Sequence, residues 1–485
     1  MSKVAHYLQE HVVGEVMTGA DARRYFSTDS SIFTVTPAII VYPRGENDVR
    51  KTARFTWQLA ERGRVIPITA RGLGTDQSGA ALGSGILAVF PAHMHRILEF
   101  DGKSGDVTVE PGINYGKLQQ TLNTHSRFLP PYPASLEYST VGGAVANNAS
   151  GERSTKYGST RDYVKRLRVV LANGEVIETR RINRRELNKK LGLNSMEGEI
   201  YRQLDGLIDE NKDLVQQSVL PVTKNAAGYA LAEVKHKDGS FDLTPLLVGS
   251  QGTLGLVTEI TLQTAAHNPT TTLIVAFIDD IKAAQAIITE LKGLPHPPAA
   301  IEMVDGHLLD FVQTHSPTLL KGIIEPPFQK LTLFVEFDNA NDRVRKRMTK
   351  RALKILEHAQ VTFKIESATE EKEQLWKVRQ AAATILAHQE SAAKPLPIIE
   401  DGVVPLERFA EFLEGVYSIF AAHHLPVSVW GHAGNANLHV QPLLDLGQVG
   451  DRQKMFKLLE DYYALVMQLG GSTTGEHGDG RLRAP

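Results

Sequence analysis

Apolar residues along this chain fall into short runs broken by glycine and proline. Ala38-Ile-Ile-Val-Tyr42 is a β-branched run closed by Pro43, and Gly85-Ile-Leu-Ala-Val-Phe90 has the same form, so both read as buried strands. Over 6–27 the apolar positions Tyr7, Leu8, Val12, Val13, Val16 and Met17 predict a helix with mixed faces, followed by a turn at 29–33. A helix over 46–63 starts near Asn47 or Asp48 and ends at Gly63. The strand 65–69 runs straight into Arg71-Gly-Leu-Gly-Thr-Asp-Gln-Ser-Gly79, an order of strand, helix, strand and glycine loop that suits a nucleotide binder. A strand at 106–110 alternates cleanly before Pro111-Gly112, and a helix spans 115–124. Strands at 165–171 and 176–178 flank Ala172-Asn-Gly174, a hairpin signal. The charged segment 179–197 reads as an exposed helix without chemistry. Gly249-Ser-Gln-Gly-Thr-Leu-Gly255 then leads into the alternating strand 256–262.

Beyond Leu262 the pattern changes. A linker at 267–272 precedes strands at 273–277, 300–304, 331–336 and 361–365, with helices at 281–292 and 342–360. This order predicts an antiparallel sheet with helices on one face, a separate α+β domain. A helix at 370–390 carries Leu375-Trp-Lys-Val-Arg379, Glu400-Asp401 and the segment 406–420 follow a linker, and the strand 427–430 runs into Gly431-His-Ala-Gly-Asn-Ala-Asn-Leu-His439.

Composition narrows the function classes. The 485 residues are 42% apolar and 22% charged, enough for two or three domains of an ordinary globular protein. A net charge of −2 leaves no footprint for nucleic acid or an anionic membrane. With no cysteine, the chain has no disulfide, thiolate zinc site, Fe–S ligation of its own or cysteinyl–flavin link. The first fourteen residues lack the form of a signal peptide and no apolar run reaches the length of a membrane span, so the expected location is cytoplasmic.

The most informative stretch is Ser139-Thr-Val-Gly-Gly-Ala-Val-Ala-Asn-Asn-Ala-Ser-Gly151, continuing to Tyr157-Gly158. So many small side chains suit a backbone lying against a large flat ligand, and the stretch reads as the wall of a cofactor site. The loop at 71–79 lacks the P-loop lysine and no clear helix follows it, so neither the Walker nor the Rossmann fingerprint applies. Its amides still suit an anion nest for a pyrophosphate. His432 and His439 lie seven positions apart, on opposite faces of any continuous strand, but a glycine turn at 431–436 folds them together. With Glu476 of Gly475-Glu-His-Gly-Asp-Gly480, and with His477 beside it, they match a site of two histidines and one carboxylate for a divalent metal. An arginine such as Arg379 is as a rule a solvated or salt-bridged side chain, though its fork also suits a small carboxylate.

These motifs in this order resemble the FAD-linked D-2-hydroxyacid dehydrogenases of the vanillyl-alcohol-oxidase flavoprotein superfamily, which include D-lactate, glycolate and D-2-hydroxyglutarate dehydrogenases. The resemblance runs from about residue 30 to the end of the chain. Its look is closest to the long bacterial forms fused to an iron–sulfur region. It implies an α+β protein with a two-subdomain FAD-binding domain over 1–264 and a substrate-binding cap over 265–450. Residues 451–485 would begin a segment returning to the FAD domain, one that the family continues further, so the chain would be one part of a longer polypeptide.

The resemblance places non-covalent FAD along Arg71, Gly72, Leu73, Gly74, Thr75, Ser78 and Gly79 and along Pro133, Ser135, Thr140, Gly142 and Gly143. Asn147, Ala149, Ser150, Gly151, Tyr157, Gly158, Gly252 and Val257 complete that set. It makes His432, His439 and Glu476 ligands of a divalent metal (zinc, with manganese or iron as alternatives) and His477 the base. Arg379, Lys394 and Gln441 would hold the substrate. The implied reaction passes a hydride from a small D-2-hydroxy acid such as D-lactate to flavin N5, with the metal assisting deprotonation. The electron acceptor would be a quinone, a cytochrome or an Fe–S partner, with a peripheral place on the inner membrane face as the alternative location. Two departures stand out: Leu73 and Asp76 occupy positions where the family usually has glycine, and Asp76 puts a negative charge near the expected pyrophosphate. The competing readings are a metal-independent flavin oxidase of the same fold and a non-catalytic electron-transfer subunit.

Overall fold

The structure, a computed structural model, describes residues 3–387 and 392–483. A four-stranded sheet opens the chain. Glu15–Met17 pairs antiparallel with Ile39–Tyr42, which runs parallel to Ile86–Val89, itself parallel to Ile68–Arg71. Beside it lies a five-stranded antiparallel sheet in the order Ile97–Asp101, Asp106–Val109, Leu256–Gln263, Val164–Val170 and Val176–Thr179. The strand Leu256–Gln263 alternates buried and half-buried residues, the pattern of a strand with one face on a core. Ile260 and Leu262 bury that face against Val107, Val109, Leu118 and Leu167.

Several elements depart from the sequence pattern. The helix expected over 6–27 is a helix Lys3–His11, the strand Glu15–Met17 and a helix Ala20–Tyr25. Close pairing with Ile39–Tyr42 is the reason: a Cβ on Gly14 would lie 1.9 Å from the Tyr42 carbonyl oxygen. The strand expected at 65–69 starts at Ile68, after Pro67, which has no N–H for a ladder. Several elements went unread, among them the edge strand Ile97–Asp101, the helix Met196–Glu210, which buries Tyr201 fully, and the helices Gly306–His315 and Val449–Gln468. The helix carrying Arg379 spans Thr369–Ala387, and its expected end at 390 lies outside the described residues.

The second half is built on seven strands, ordered Thr362–Glu366, Thr272–Ile278, Leu331–Phe337, Ala300–Asp305, Val429–His432, Asn437–Val440 and Gly402–Val403. Every pairing is antiparallel. Helices cover both faces of this sheet. Ile274 and Ala276 pack under Ile281–Lys292 and Asp342–His358, and Phe409–Ala422 and Val449–Gln468 extend the same core. Leu273 and Val275, pointing the other way, pack under Gly306–His315 and Thr369–Ala387. The expectation of helices on one face failed because the strands are buried on both faces, as Leu331–Phe337, buried at all seven positions, shows. The helix Val449–Gln468 buries Leu458, Tyr462 and Val466 in the core of this second half. The stretch after it reaches the first half, where Arg481 N and Leu482 N donate to Ser78 O. Among the described residues no helix is long and apolar enough to cross a membrane.

One buried acid in this core titrates near neutrality. Asp305 caps the helix Gly306–His315 through Leu308 N at 2.9 Å and accepts from Tyr417 Oη at 3.2 Å. Burial raises its pKa from 3.8 to about 7. The folded state therefore keeps a proton that the unfolded chain has lost, so the stabilisation is complete below pH 3.8 and is lost as pH rises through about 7. Asp305→Asn keeps the cap and removes the titration. Its urea-unfolding stability should exceed that of the parent by about 2–4 kcal/mol at pH 8, shrinking as the pH falls towards 5.

Candidate active site

The two halves meet over a cavity of about 460 Å³. One end is glycine-walled. Gly72, Gly74, Gly142, Gly143, Gly151 and Gly252 line it, and no larger residue fits at several of them. A Cβ on Gly142 would lie 2.6 Å from Pro111 Cβ, and one on Gly72 would lie 2.5 Å from Thr140 Oγ1. Among the described residues, the amides of Leu73, Gly74 and Thr75 donate to no protein acceptor. A narrow slot with free N–H groups along one rim is what a dinucleotide with a pyrophosphate requires. Asp76 lines the same wall, but Ser78 N at 3.0 Å, Ala80 N at 2.7 Å and Asn147 Nδ2 at 2.9 Å all donate to its carboxylate. The acid folds the loop and its charge is largely met by those donors.

The other end is made by side chains of the second half. Val429–His432 and Asn437–Val440 form a hairpin, with Trp430 opposite His439 and His432 opposite Asn437. Gly431, at φ +155, and Ala436, in the left-handed region at φ 51, turn the chain so that the two imidazoles lie 5.2 Å apart. His432 Nε2 is 2.8 Å and His439 Nε2 3.3 Å from the same oxygen, Glu476 Oε1. His477 Nε2 approaches it at 4.0 Å. The other Glu476 oxygen is engaged by Lys224 Nζ at 2.7 Å and by the Ser150 hydroxyl.

Each histidine is held from behind. His432 Nδ1 meets Glu302 at 2.8 Å, and His439 Nδ1 and His477 Nδ1 meet the two oxygens of Glu400 at 3.0 and 2.6 Å. Both nitrogens of His432 and of His439 therefore face carboxylates, although a neutral imidazole has a single N–H. A cation seated among the Nε2 atoms and Glu476 Oε1 removes the conflict, and carboxylate-backed imidazoles with one free carboxylate oxygen are a suitable donor set for a divalent metal. Asp401, His439, Glu476 and His477 also place ligand atoms within 4.8 Å of one another. Asp401 is already saturated by Asn437 Nδ2, Thr474 Oγ1, Glu476 N and His477 N. Burial opposes protonation of His477, but Glu400 and Asp401 outweigh it and raise its pKa to about 10. Burial likewise works against charge on Glu476, yet His432 and Lys224 hold its carboxyl well below the usual range.

Arg379 is buried where the cavity passes under the helix Thr369–Ala387. Its Nε and Nη2 donate to Glu302 at 3.2 and 2.8 Å, so one edge of the guanidinium is fixed. Glu302 thus touches both Arg379 and His432.

Of the residues expected at the site, all line the cavity except Ser78, Gly79, Tyr157, Gly158 and Lys394. Ser78 is buried in contacts with Asp76 and with the amides of Arg481 and Leu482. Gly79, at φ +81, turns the loop against Phe33, and Gly158, at φ +71, ends the helix Ser154–Tyr157. Tyr157 Oη bonds Asp338 at 2.6 Å, tying the two halves together. Lys394, expected beside Arg379, is exposed on the short strand Lys394–Pro395. Sequence reading missed Glu302, Glu400, Asp401 and Lys224. Glu302 had a signal, a lone acid inside the apolar run 300–304. Lys224 had none, because it acts only where its loop meets the second half.

Residues 37–180 match the FAD binding domain family, and residues 267–485 match the C-terminal domain of the FAD linked oxidases. The chain is 30% identical to the D-2-hydroxyglutarate dehydrogenase of Escherichia coli (strain K12) over 490 residues, covering 97% of this chain and 47% of that protein. It is 29% identical to the glycolate oxidase subunit GlcD of Bacillus subtilis (strain 168) over 450 residues, covering 93% and 82%. The chain therefore spans about half the length of the D-2-hydroxyglutarate dehydrogenases it matches. Among solved structures, an alkyldihydroxyacetonephosphate synthase superposes with a TM-score of 0.68 at 16% identity, covering 97% of this chain and 81% of that one. The fold is the FAD-binding fold of the vanillyl-alcohol-oxidase type, with an α+β second half.

The buried pair Lys224–Glu476 sets a stability expectation. Lys224→Met leaves Glu476 with the histidines and Ser150, and removing one partner of a buried pair costs about 3 kcal/mol or more. Chemical unfolding should show that loss, and a change below about 0.5 kcal/mol would mean that the histidines carry the compensation alone.

Proposed function

The chain carries the FAD binding domain and the C-terminal domain of the FAD linked oxidases, and on that premise we propose that it oxidises a small D-2-hydroxy acid, D-lactate-like, to the 2-oxo acid. The observation that supports this most is the meeting of Arg379, His432, His439, Glu476 and His477 at the far end of the glycine-walled cavity. An arginine for a carboxylate and a histidine cluster for an adjacent hydroxyl are the groups a 2-hydroxy acid needs. The relatives' names, D-2-hydroxyglutarate dehydrogenase and glycolate oxidase subunit, point to the same class.

The residues divide the work by position. When bound, FAD supplies the hydride acceptor, and a divalent metal held by His432, His439 and Glu476 supplies a Lewis acid for the hydroxyl whose charge also opposes protonation of His477. Arg379, with its Nε edge fixed on Glu302, turns the remaining guanidinium N–H groups to the substrate carboxylate and sets its orientation. His477, with Nδ1 on Glu400, presents Nε2 to the cavity and accepts the hydroxyl proton there. Gln441 lines the same end and offers an amide to the substrate. Thr140, Gly142 and Gly143 keep the opposite wall flat, so only one face of the bound acid meets the cofactor.

The test is the visible spectrum of the FAD-loaded protein under anaerobic conditions. D-lactate should bleach the flavin bands and L-lactate should not. His477→Ala should keep its flavin and lose about 10²–10⁴-fold in the bleaching rate. Thorough chelation should abolish bleaching and added zinc should restore it. Bleaching that survives in a metal-free sample would remove the metal from the proposal, and unchanged rates in His477→Ala would remove the base.

A further inference from the structure

The substrate end of the cavity is short of positive charge. Apart from the histidines, its lining holds two cations among the described residues, Arg71 and Arg379. Arg71 lies at the first glycine loop, donating to Thr28 O and Ala81 O. Arg379 is already paired with Glu302. Lys394 is exposed and does not line the cavity, and the sequence between Arg379 and Lys394 contains neither lysine nor arginine. An additional acid faces this end. Glu152, just beyond the glycine stretch, lines the cavity with 6% of its surface exposed and accepts from Gln380 Nε2 at 3.0 Å, next to Arg379 in the helix.

We propose that Glu152 is a specificity-determining residue that restricts the site to monocarboxylate 2-hydroxy acids and rejects dicarboxylates such as 2-hydroxyglutarate. One carboxylate finds Arg379. A second finds no further lysine or arginine among the described lining residues and meets Glu152 across a low-dielectric space. Burial raises the Glu152 carboxyl above its usual range, Arg379 opposes that, and Glu302 adds to it. A second carboxylate therefore costs either two neighbouring buried negative charges or a proton taken up by Glu152. Discrimination by such a repulsive element needs no added contact to the preferred substrate. The choice differs from the one named in the D-2-hydroxyglutarate dehydrogenases that the chain matches at about 30% identity.

This inference rests on the 2-hydroxy acid reading of the site, and the experiment separates the two. The FAD-loaded, zinc-loaded protein and its Glu152→Gln variant are titrated with pyruvate and with 2-oxoglutarate, following the oxidised flavin spectrum, so that binding is read without turnover. Steady-state kcat and KM for D-lactate and D-2-hydroxyglutarate are measured alongside. Glutamine keeps the shape and the Gln380 contact, so the fold is retained. In the parent, pyruvate should bind about tenfold or more tightly than 2-oxoglutarate, and Glu152→Gln should narrow the gap by about tenfold, through KM of the dicarboxylate rather than kcat. That pattern in the binding arm supports the inference even where no acid is turned over, an outcome that would sink the dehydrogenase reading alone. Equal binding in the parent, or a gap that Glu152→Gln leaves unchanged, overturns the inference whatever the turnover shows.

Discussion

The carboxylate of Asp401 is the constraint on which the site depends. It is fully buried and takes donors from Asn437, Thr474, Glu476 N and His477 N. Those contacts join two separate pieces of chain, the histidine hairpin and the glycine-flanked turn that carries Glu476 and His477. The hairpin is held in the sheet by Val429, Leu438 and Val440 in the core, but the glycine-flanked turn 475–480 has no apolar side chain with which to fix itself against it. A buried acid with a full set of donors does it, because leaving any of them unmet would cost the desolvation of that group.

Around that anchor the site is a lattice of alternating charge. Glu302 and Glu400 stand behind the imidazoles, Glu476 lies between them, and Lys224, Arg379 and Arg483 offset the acids. Buried ion pairs add little net stability against an apolar core of the same shape, so their value here is in orientation. Each imidazole has its Nδ1 fixed, which leaves Nε2 as the atom presented to the cavity. Glu302 joins the metal-type cluster to Arg379 through its two oxygens, so movement of one is felt by the other.

The candidate site sits on a boundary. Ser150 and Lys224 come from the first half and grip Glu476 of the last segment. Arg153, Lys156 and Tyr157 from the same region pair with Glu336 and Asp338 of the second half. These contacts hold the glycine wall opposite the histidine cluster at a fixed separation, as an oriented reaction between two bound groups requires.

Most of the strands, the glycine stretch at 139–158, the helices at 115–124 and 281–292 and the histidine and acid motifs were legible in the chain. Each is a local matter: period two for a half-buried strand, glycine where a backbone must pass close to something large, a glycine turn where two histidines must fold together. Local pattern misled most where a long-range contact intervened, as when Gly14 packing on Tyr42 broke the helix expected over 6–27. The chain alone singled out the glycine stretch and the histidine and acid motifs, which fold to line one cavity. Only the tertiary structure decided that Glu302, Glu400, Asp401 and Lys224 hold those residues, that Lys394 stands outside the cavity and that Glu152 faces it. The reason is that a charge's role depends on which distant atoms share its low-dielectric surroundings, and one-dimensional spacing carries no record of that.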